Sequence, residues 1–201
     1  SLYCFMAGLF VLKRAASFAI IKEMEREVPC VQMQTLLPDC SVRKLQPVNA
    51  DIEKIYAMTS QNTLFYQYHP PFVTWQSILD DMSALPPGKT MADKFYIGFF
   101  DGAALAAVVD MILAYPNETT GYIGFFMVDK SRQGQGIGSL IVADIENTMR
   151  NNGMCYSRLA VDKGNPQSYS FWTKNGYAVC GPEIPNDFSA YIPMQKELTP
   201  L

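Results

Sequence analysis

The pattern of apolar and polar positions divides most of the chain into short segments with the periods of strands and helices. Three apolar runs bounded by turn residues indicate buried strands at 95–100, 103–113 and 122–128. The dipeptide Asp101-Gly102 predicts a hairpin turn between the first two runs, and a second turn near Pro116-Asn117 leads into the third. We therefore predict an antiparallel meander of three strands.

Helical periodicity flanks this meander on both sides. Apolar residues three or four positions apart predict two helices before it, at 52–59 and after an N-cap at Thr74, and two helices after it, at 139–152 and 166–175. Short strands are predicted at 42–45 and 156–161, and a final hairpin pairs 177–180 with 190–195. The element order from residue 42 onward is therefore β-α-α-β-β-β-α-β-α-β-β.

The first forty residues have a different pattern. An apolar run at 2–12 is too short for a membrane span, which needs about 20 residues, and Lys13 and Arg14 follow the run instead of preceding it as in an export signal. Residues 9–28 have the pattern of an amphipathic helix, whose apolar face must cover the core, a partner subunit of a homodimer or a membrane surface. We expect an N-terminal extension and linker at 1–40, one globular domain at 41–201, and no membrane span.

Composition narrows the partners and the compartment. A net charge of -3 and a pI near 5.2 give no general attraction to nucleic acid, so we expect no nucleic-acid partner. The 5 cysteines are odd in number without a Cys-x-x-Cys pair, and the chain has 1 histidine. We therefore expect neither a disulfide framework nor a metal site. Reduced thiols are typical of a cytoplasmic protein, which is the location we predict.

The stretch 128–138 carries the strongest functional signal. It follows the third strand of the meander, contains Gly134, Gly136 and Gly138 at alternate positions, and leads into a helix. Glycines permit a tight turn, and the N–H groups at a helix N-terminus attract an anion, so the loop is suited to hold a pyrophosphate. No Lys follows Gly138 as in a P-loop, and the spacing does not match the G-x-G-x-x-G dinucleotide fingerprint.

This loop resembles the acyl-coenzyme A loop of the GCN5-related N-acetyltransferase (GNAT) superfamily. The family pattern is Gln/Arg-x-x-Gly-x-Gly/Ala, and Gln133, Gly136 and Gly138 match it in order. The next family motif has a Leu-x-Val strand, an Asn, an aromatic pair and a Gly-Tyr pair, which correspond here to Leu159, Val161, Asn165, Phe171, Trp172, Gly176 and Tyr177. The predicted element order is also that of the family, over roughly 42–196.

The resemblance implies an α/β (α+β) fold, with a mixed, mostly antiparallel central sheet and helices on both faces. It also implies an enzyme, an acetyl-CoA-dependent N-acetyltransferase, whose strand end contacts pantetheine through main-chain atoms and whose loop holds the pyrophosphate. Arg132 either pairs with phosphate or faces solvent, and Trp172 either contacts the cofactor or only packs. The implied cofactor-binding residues are Met127, Val128, Arg132, Gln133, Gly134, Gly136, Ile137, Gly138, Ser139, Asn165 and Trp172.

The group that protonates the leaving thiolate is not given directly by the resemblance. The family often uses a Tyr as the second aromatic of the pair, but this chain has Trp172 at that position, and an indole cannot deliver the proton. Tyr169 lies three residues earlier, where a helical period places it on the face of Asn165 and Trp172. We predict Tyr169 as a substitute acid, with protonation by water as the alternative.

The general base is equally open. Family members frequently carry a Glu on the strand that ends at Val128, and this strand has no carboxylate at 124–127. The candidates are Asp110, on the preceding strand, and His69, whose imidazole has an ordinary pKa of about 6.5. Each candidate also has another possible role: Asp110 could bind a cationic amine, and His69 could be structural. In a third alternative, water carries the proton and no residue acts as the base.

The acceptor site is predicted from an aromatic segment at 65–72, which contains His69 followed by two prolines that hold it extended. In acetyltransferases of this type the connection between the first two helices commonly walls the acceptor site, so this segment is either the substrate loop or a packing loop. Its aromatic residues favour a small-molecule primary amine. The alternatives are a protein or peptide acceptor and a catalytically weak acyl-CoA sensor. The sensor is considered because the family Tyr and Glu are missing.

Overall fold

The computed structural model describes Thr35 and residues 37–198. The strands are β1 Cys40–Lys44, β2 Lys94–Asp101, β3 Ala104–Ile112, β4 Thr120–Val128, β5 Tyr156–Asp162, β6 Ala178–Val179, β7 Ile184–Pro185 and β8 Ala190–Glu197. The helices are α1 Asn49–Thr59, α2 Thr63–Tyr68, α3 Trp75–Ser83, α4 Ile137–Asn151 and α5 Pro166–Lys174, with a 3-10 turn at Lys130–Arg132. None of the helices in these ranges is both long and apolar enough to cross a bilayer. The predicted amphipathic helix at 9–28 lies outside the described residues.

One mixed sheet connects the strands of the described chain. Its order is β1-β2-β3-β4-β5-β8-β6, and β7 pairs with β8. Six of the neighbouring pairs are antiparallel, and β4 with β5 is the parallel one. The predicted meander is confirmed as β2–β3–β4, with Asp101 of β2 opposite Ala104 of β3 across the Asp101-Gly102 turn. The mixed, mostly antiparallel sheet is therefore as predicted.

The parallel pair diverges soon after it begins. β4 and β5 pair only between 120–122 and 156–158, although β4 continues to Val128. A bulge in the β3–β4 pairing, where Asp110 lies opposite Phe125 and Met111 opposite Ile123, adds one residue to β4 just beyond this point. Bulges increase strand twist, so this one helps to turn β4 away from β5. The edge of β4 from Ile123 onward therefore faces a gap.

Helices cover both faces of the sheet. Ile145 of α4 belongs to one buried cluster together with Val109 of β3. Ile55 of α1 and Ile78 of α3 belong to a second cluster together with Val108. Because successive side chains of a strand point to opposite faces, the neighbours Val108 and Val109 contact opposite helical layers. The gap between β4 and β5 therefore lies between two packed layers.

The segment 65–72 differs from its prediction. The sequence predicts a loop here, held extended by the two prolines after His69, but the first part of the segment belongs to α2, Thr63–Tyr68. Six residues are too few to show a helical period in the sequence, which explains why the pattern missed this helix. The helix ends at His69, because a residue before proline disfavours the helical conformation. The structure also adds the two-residue strand β7, which was not predicted.

The N-cap predicted for the next helix is confirmed. The Thr74 hydroxyl accepts a hydrogen bond from the backbone N–H of Ser77 at 3.0 Å. In return, the Ser77 hydroxyl accepts one from the backbone N–H of Thr74 at 2.9 Å. This reciprocal capping box fixes where α3 begins. It therefore sets the position of the α3 residues that face the sheet.

Candidate active site

The loop between β4 and α4 presents a row of backbone N–H groups. Gly134 and Gly136 have φ angles of 77° and 84°, a conformation that glycine adopts without steric cost. Within the described residues, the N–H groups of 134–138 donate no hydrogen bond. Because α4 begins at Ile137, the row lies at the positive end of the helix. These donors fit the pyrophosphate of coenzyme A.

Gly138 is required for a different reason. A Cβ added there would lie 3.0 Å from Cε2 of Phe171 and 3.5 Å from Cγ2 of Val128. The Phe171 ring therefore occupies the space that a side chain would fill. The close contact holds the first turn of α4 against α5 and the end of β4.

Gln133 connects the loop to three other parts of the structure. Its Nε2 donates hydrogen bonds to Oδ1 of Asn62 at 2.6 Å and to the carbonyl of Val128 at 3.0 Å. Its Oε1 accepts a hydrogen bond from Nε2 of Gln167 at 3.2 Å. The side chain therefore links the α1–α2 connection, the end of β4 and the first turn of α5. In this position it orients the loop from within and does not reach out as a free donor.

A cleft of ≈ 400 Å³ lies between this loop, the end of β4 and the helix α5. Its lining includes all of the predicted cofactor residues except Arg132 and Ile137. Ile137 contributes its N–H to the row described above and packs its side chain against the core. Asn165 is buried at the N-cap of α5, where its Oδ1 accepts a hydrogen bond from the N–H of Ser168. The cleft is therefore built from the residues in which the resemblance placed the cofactor.

Arg132 is ion-paired within the chain. Its Nη2 lies 2.7 Å from Oδ2 of Asp101, at the β2–β3 hairpin. Arg132 does not line the cleft, and its partner is a carboxylate on the neighbouring hairpin. Its position therefore fits a contact that fixes the loop to the hairpin.

A second cavity, of ≈ 250 Å³, lies on the side of the sheet covered by α1 and α3. Its walls include the aromatic segment, with Tyr66, His69 and the two prolines that follow. The two cavities share four lining residues, Phe65, Phe126, Ser168 and Trp172. They therefore meet where β4 and β5 diverge, so that a group held in one lies next to a group held in the other.

Trp172, at the junction, is held in an aromatic cluster. Its ring centroid is 5.6 Å from that of Phe126, 5.1 Å from Phe171 and 5.0 Å from Tyr177, each edge to face. The indole is 6% exposed. Trp172 therefore packs in the core and also lines the cleft, and its contact with the cofactor stays a prediction.

The structure brings His69 to the second cavity with a partner that the sequence did not indicate. Nδ1 of His69 lies 3.0 Å from Oδ1 and 3.2 Å from Oδ2 of Asp162, the last residue of β5. The two residues are 93 positions apart and both line the cavity. The one signal available in the sequence was an acidic residue directly after the Leu-x-Val strand. The pair forms because β5 and the end of α2 converge on the β4–β5 gap.

Asp110 also lines this cavity but has a different environment. It is fully buried, and its Oδ2 accepts a hydrogen bond from Nζ of Lys94 at 2.7 Å. Lys94 is also buried and donates a second hydrogen bond to the carbonyl of Ala84 at 3.0 Å. The ammonium group compensates the charge of Asp110, as a buried carboxylate requires.

Tyr169, predicted as the substitute acid, is not brought to the site. It is 41% exposed and lines neither cavity. Two phenols do line the acceptor side, Tyr66 and Tyr96, and the sequence pattern indicated neither as an acid. Burial raises the pKa of Tyr66 to about 12, with a hydrogen bond to Thr59 acting in the opposite direction. Tyr66 therefore remains a neutral hydroxyl near neutral pH.

The family model described as the Acetyltransferase (GNAT) family matches residues 55–177. The chain belongs to this family. The match contains the glycine loop, the β4–β5 gap and the aromatic pair, so it covers the site described above. This acetyltransferase uses acetyl-CoA as its acetyl donor, and the N–H row and the cleft fit that cofactor.

Solved structures share the fold of this acetyltransferase. Ard1 from Thermoplasma volcanium has a TM-score of 0.60 at 21% identity, covering 80% of this chain and 99% of that one. PaiA N-acetyltransferase from Thermoplasma acidophilum, solved with coenzyme A, has a TM-score of 0.56 at 19% identity, covering 79% and 98%. Spermidine N-acetyltransferase from Vibrio cholerae, solved with coenzyme A and spermine, has a TM-score of 0.59 at 12% identity, covering 81% and 97%. No curated protein matches the chain.

Proposed function

We propose that this acetyltransferase transfers the acetyl group of acetyl-CoA directly to a primary amine of a small molecule. The observation that carries the proposal is the junction of the two cavities at the β4–β5 gap, which Phe126 and Trp172 line from both sides. A thioester in the cofactor cleft and an amine in the second cavity would meet there. Holding two reactants side by side is the main requirement of a direct transfer.

The walls of the second cavity favour a cationic amine. Its carboxylates are Asp80, Asp81, Asp110 and Asp162, and none of the described residues that line it is a Lys or an Arg. Most of the other lining side chains are aromatic or apolar, beside the hydroxyls of Thr59, Ser77 and Ser168, so charges inside the cavity are less screened than in water. An alkylammonium group with an apolar body matches both properties.

The volume of this cavity supports a small acceptor. About 250 Å³ is near the lower end of the range for small-molecule pockets. Pro70 and Pro71 close one side of it, next to His69. A compact amine fits this space, whereas a peptide would have to bind with most of its length outside.

The experiment is release of free thiol from acetyl-CoA in the presence of a panel of amines, beside calorimetric titration with coenzyme A. The panel contains 2-phenylethylamine, spermidine, an aminoglycoside, free amino acids and short peptides. We expect coenzyme A binding and thiol release that depends on a small cationic amine. Thiol release with peptides alone would mean that the acceptor is a peptide and not a small molecule. Coenzyme A binding without thiol release would favour a sensor.

A matched pair of variants tests the junction itself. Ser168 lines both cavities, so Ser168→Phe should block contact between the reactants and reduce turnover at least tenfold. Thr173 lies on the same helix, is exposed and lines neither cavity, so Thr173→Phe should retain the wild-type rate. Equal rates in the two variants would mean that transfer does not take place at this junction.

A further inference from the structure

The His69 side chain is held in a defined position inside the acceptor cavity. Its ring lies on Phe65, with centroids 5.0 Å apart and planes 31° apart. Its Nδ1 contacts both carboxylate oxygens of Asp162, at 3.0 and 3.2 Å. The side chains of His69 and Asp162 are 20% and 8% exposed. A ring fixed on one side by packing and on the other by a carboxylate has little rotational freedom.

The contact with Asp162 determines which ring nitrogen carries the proton in the neutral imidazole. A carboxylate only accepts hydrogen bonds, so Nδ1 must be the protonated nitrogen and must donate to Asp162. Nε2 is then left with the lone pair. His69 lines the acceptor cavity, so Nε2 is the ring nitrogen left to act on an acceptor held there.

The charged and titratable groups around His69 come from several elements. Asp162 of β5 is in contact with it, and the Tyr191 ring of β8 has its centroid 6.3 Å away. Asp110 of β3 is compensated by Lys94, and Asp80 of α3 accepts a hydrogen bond from Gln76. The remaining carboxylate of this cavity is Asp81, also on α3. Asp162 is therefore the carboxylate in hydrogen-bond contact with the imidazole.

We propose that His69 is the general base of the transfer and that Asp162 is its positioning residue. The inference rests on the proposed function, because the acceptor cavity must receive an amine. Nε2 of His69 takes one proton from the acceptor ammonium, and the neutral nitrogen then attacks the thioester carbon. The C–N bond forms, the C–S bond breaks, and the second nitrogen proton leaves with the thiol, so that R–NH3⁺ and acetyl-CoA give R–NH–COCH3, coenzyme A and H⁺. His69 returns its proton to water.

The other candidate bases have weaker geometry. Asp110 is buried against Lys94, and proton uptake there would leave the ammonium without its counter-charge. Tyr66 also lines the cavity, but burial keeps it protonated, with a pKa of about 12. His69 combines a lone pair, a fixed orientation and a position in the cavity, which are the features that a general base requires.

The first test is independent of turnover. The chain contains 1 histidine, so its imidazole gives a single set of nitrogen and carbon signals in heteronuclear NMR. We expect the neutral form to be the Nδ1–H tautomer in the wild type and to lose that preference in Asp162→Ala. Asp80→Ala removes an equal charge from the same cavity without touching His69 and should leave the tautomer unchanged. A wild-type Nε2–H tautomer would overturn the proposal.

The second test is kinetic and uses spermidine or 2-phenylethylamine, whichever is the better acceptor. His69→Gln should lower kcat/KM by about 100-fold, with coenzyme A affinity unchanged by calorimetry. Asp162→Ala should lower kcat at least tenfold, because the ring loses the contact that holds its orientation and its Nδ1–H tautomer. Asp162→Glu should restore part of the rate. A His69→Gln variant with the wild-type rate and pH profile would refute the assignment of His69 as the general base.

The outcomes also separate this inference from the proposed function. If the wild type showed no amine-dependent turnover, the proposed function would be refuted, whichever tautomer His69 adopts. Normal turnover with the Nε2–H tautomer would refute only the His69–Asp162 assignment.

Discussion

Gly136 and Gly138 belong to one loop but are required for different physical reasons. At Gly136 a Cβ would meet no atom within 4 Å, so the requirement comes from its φ of +84°. At Gly138 the φ angle is ordinary, and the requirement comes from the Phe171 ring 3.0 Å away. Conformation and packing therefore each account for one glycine of the motif.

Gly136 allows a controlled test of the loop's role in cofactor binding. Gly136→Ala should cost ~1–2 kcal/mol of stability, because an L-residue is strained in the left-handed region. Gly153 has a φ of +80° and equally open surroundings, and it lies at the other end of α4. Gly153→Ala should therefore cost a similar stability.

Only Gly136→Ala should weaken coenzyme A binding, because relief of its strain moves the N–H row. Calorimetric titration and chemical denaturation of both variants check this. Similar cofactor affinities in the two variants would show that the row does not hold the pyrophosphate.

The positions of Tyr169 and His69 in the structure show what residue spacing can and cannot predict. The same-face argument grouped Tyr169 with Asn165 and Trp172, but a step of three residues from Tyr169 to Trp172 leaves their side chains about 60° apart around α5. That difference is enough to bury Trp172 and to leave Tyr169 41% exposed. His69 was a candidate from its chemistry alone, and its partner Asp162 comes from a strand 93 positions away. Such a contact is set by tertiary structure, which local spacing does not encode.

At the scale of elements, Gln133 holds several of them in register through one side chain. It contacts Asn62 after α1, Val128 at the end of β4 and Gln167 in α5. Gln133→Ala should therefore loosen the loop from all three, lowering stability by ~1–2 kcal/mol through the loss of partly buried hydrogen bonds and weakening coenzyme A binding.

Gln135 is the matched control for this change. It lies two residues away in the same loop, is exposed, and its Nε2 donates to the carbonyl of Ser131 at 2.9 Å. Gln135→Ala should change neither stability nor cofactor affinity by a measurable amount. Thermal unfolding and calorimetry on the two variants decide the point, and equal effects would mean that Gln133 is not the connecting residue.

Local chemistry explains which elements could be predicted. The Asp101-Gly102 turn and the Thr74 cap each use residues within a few positions of one another, so both were predictable. The β4–β5 gap has no such local signal, because it depends on where two strands stop pairing and on a bulge opposite Asp110. Helix α2 was missed because it is too short to show a period.

At the scale of the whole molecule, several phenols are buried within the two packed layers. Burial raises the pKa of Tyr96, Tyr122 and Tyr177 well above the ordinary value, and that of Tyr66 to about 12. Tyr177 also shares a hydrogen bond of 2.7 Å with Ser157. Tyr177 belongs to the cluster of Val109, Tyr96 and Tyr66 pack in the cluster of Val108, and Tyr122 lies in a third cluster with Ile112. Their ionisation is therefore linked to the folding of the entire domain.

The sign of this linkage predicts alkaline unfolding. An unfolded phenol loses its proton near pH 10, whereas the folded phenols keep theirs, so the unfolded state binds fewer protons above that pH. Stability is therefore fully present below about pH 10 and falls as the pH rises towards the folded pKa values.

Tyrosinate absorbance should increase in two stages, and the second stage should coincide with loss of far-UV circular dichroism. Tyr96→Phe removes one such phenol and should move the second stage to higher pH, provided that the variant folds with wild-type circular dichroism at neutral pH. If all the tyrosines titrated together near pH 10 while the circular dichroism stayed constant, the phenols would not be buried as the structure has them.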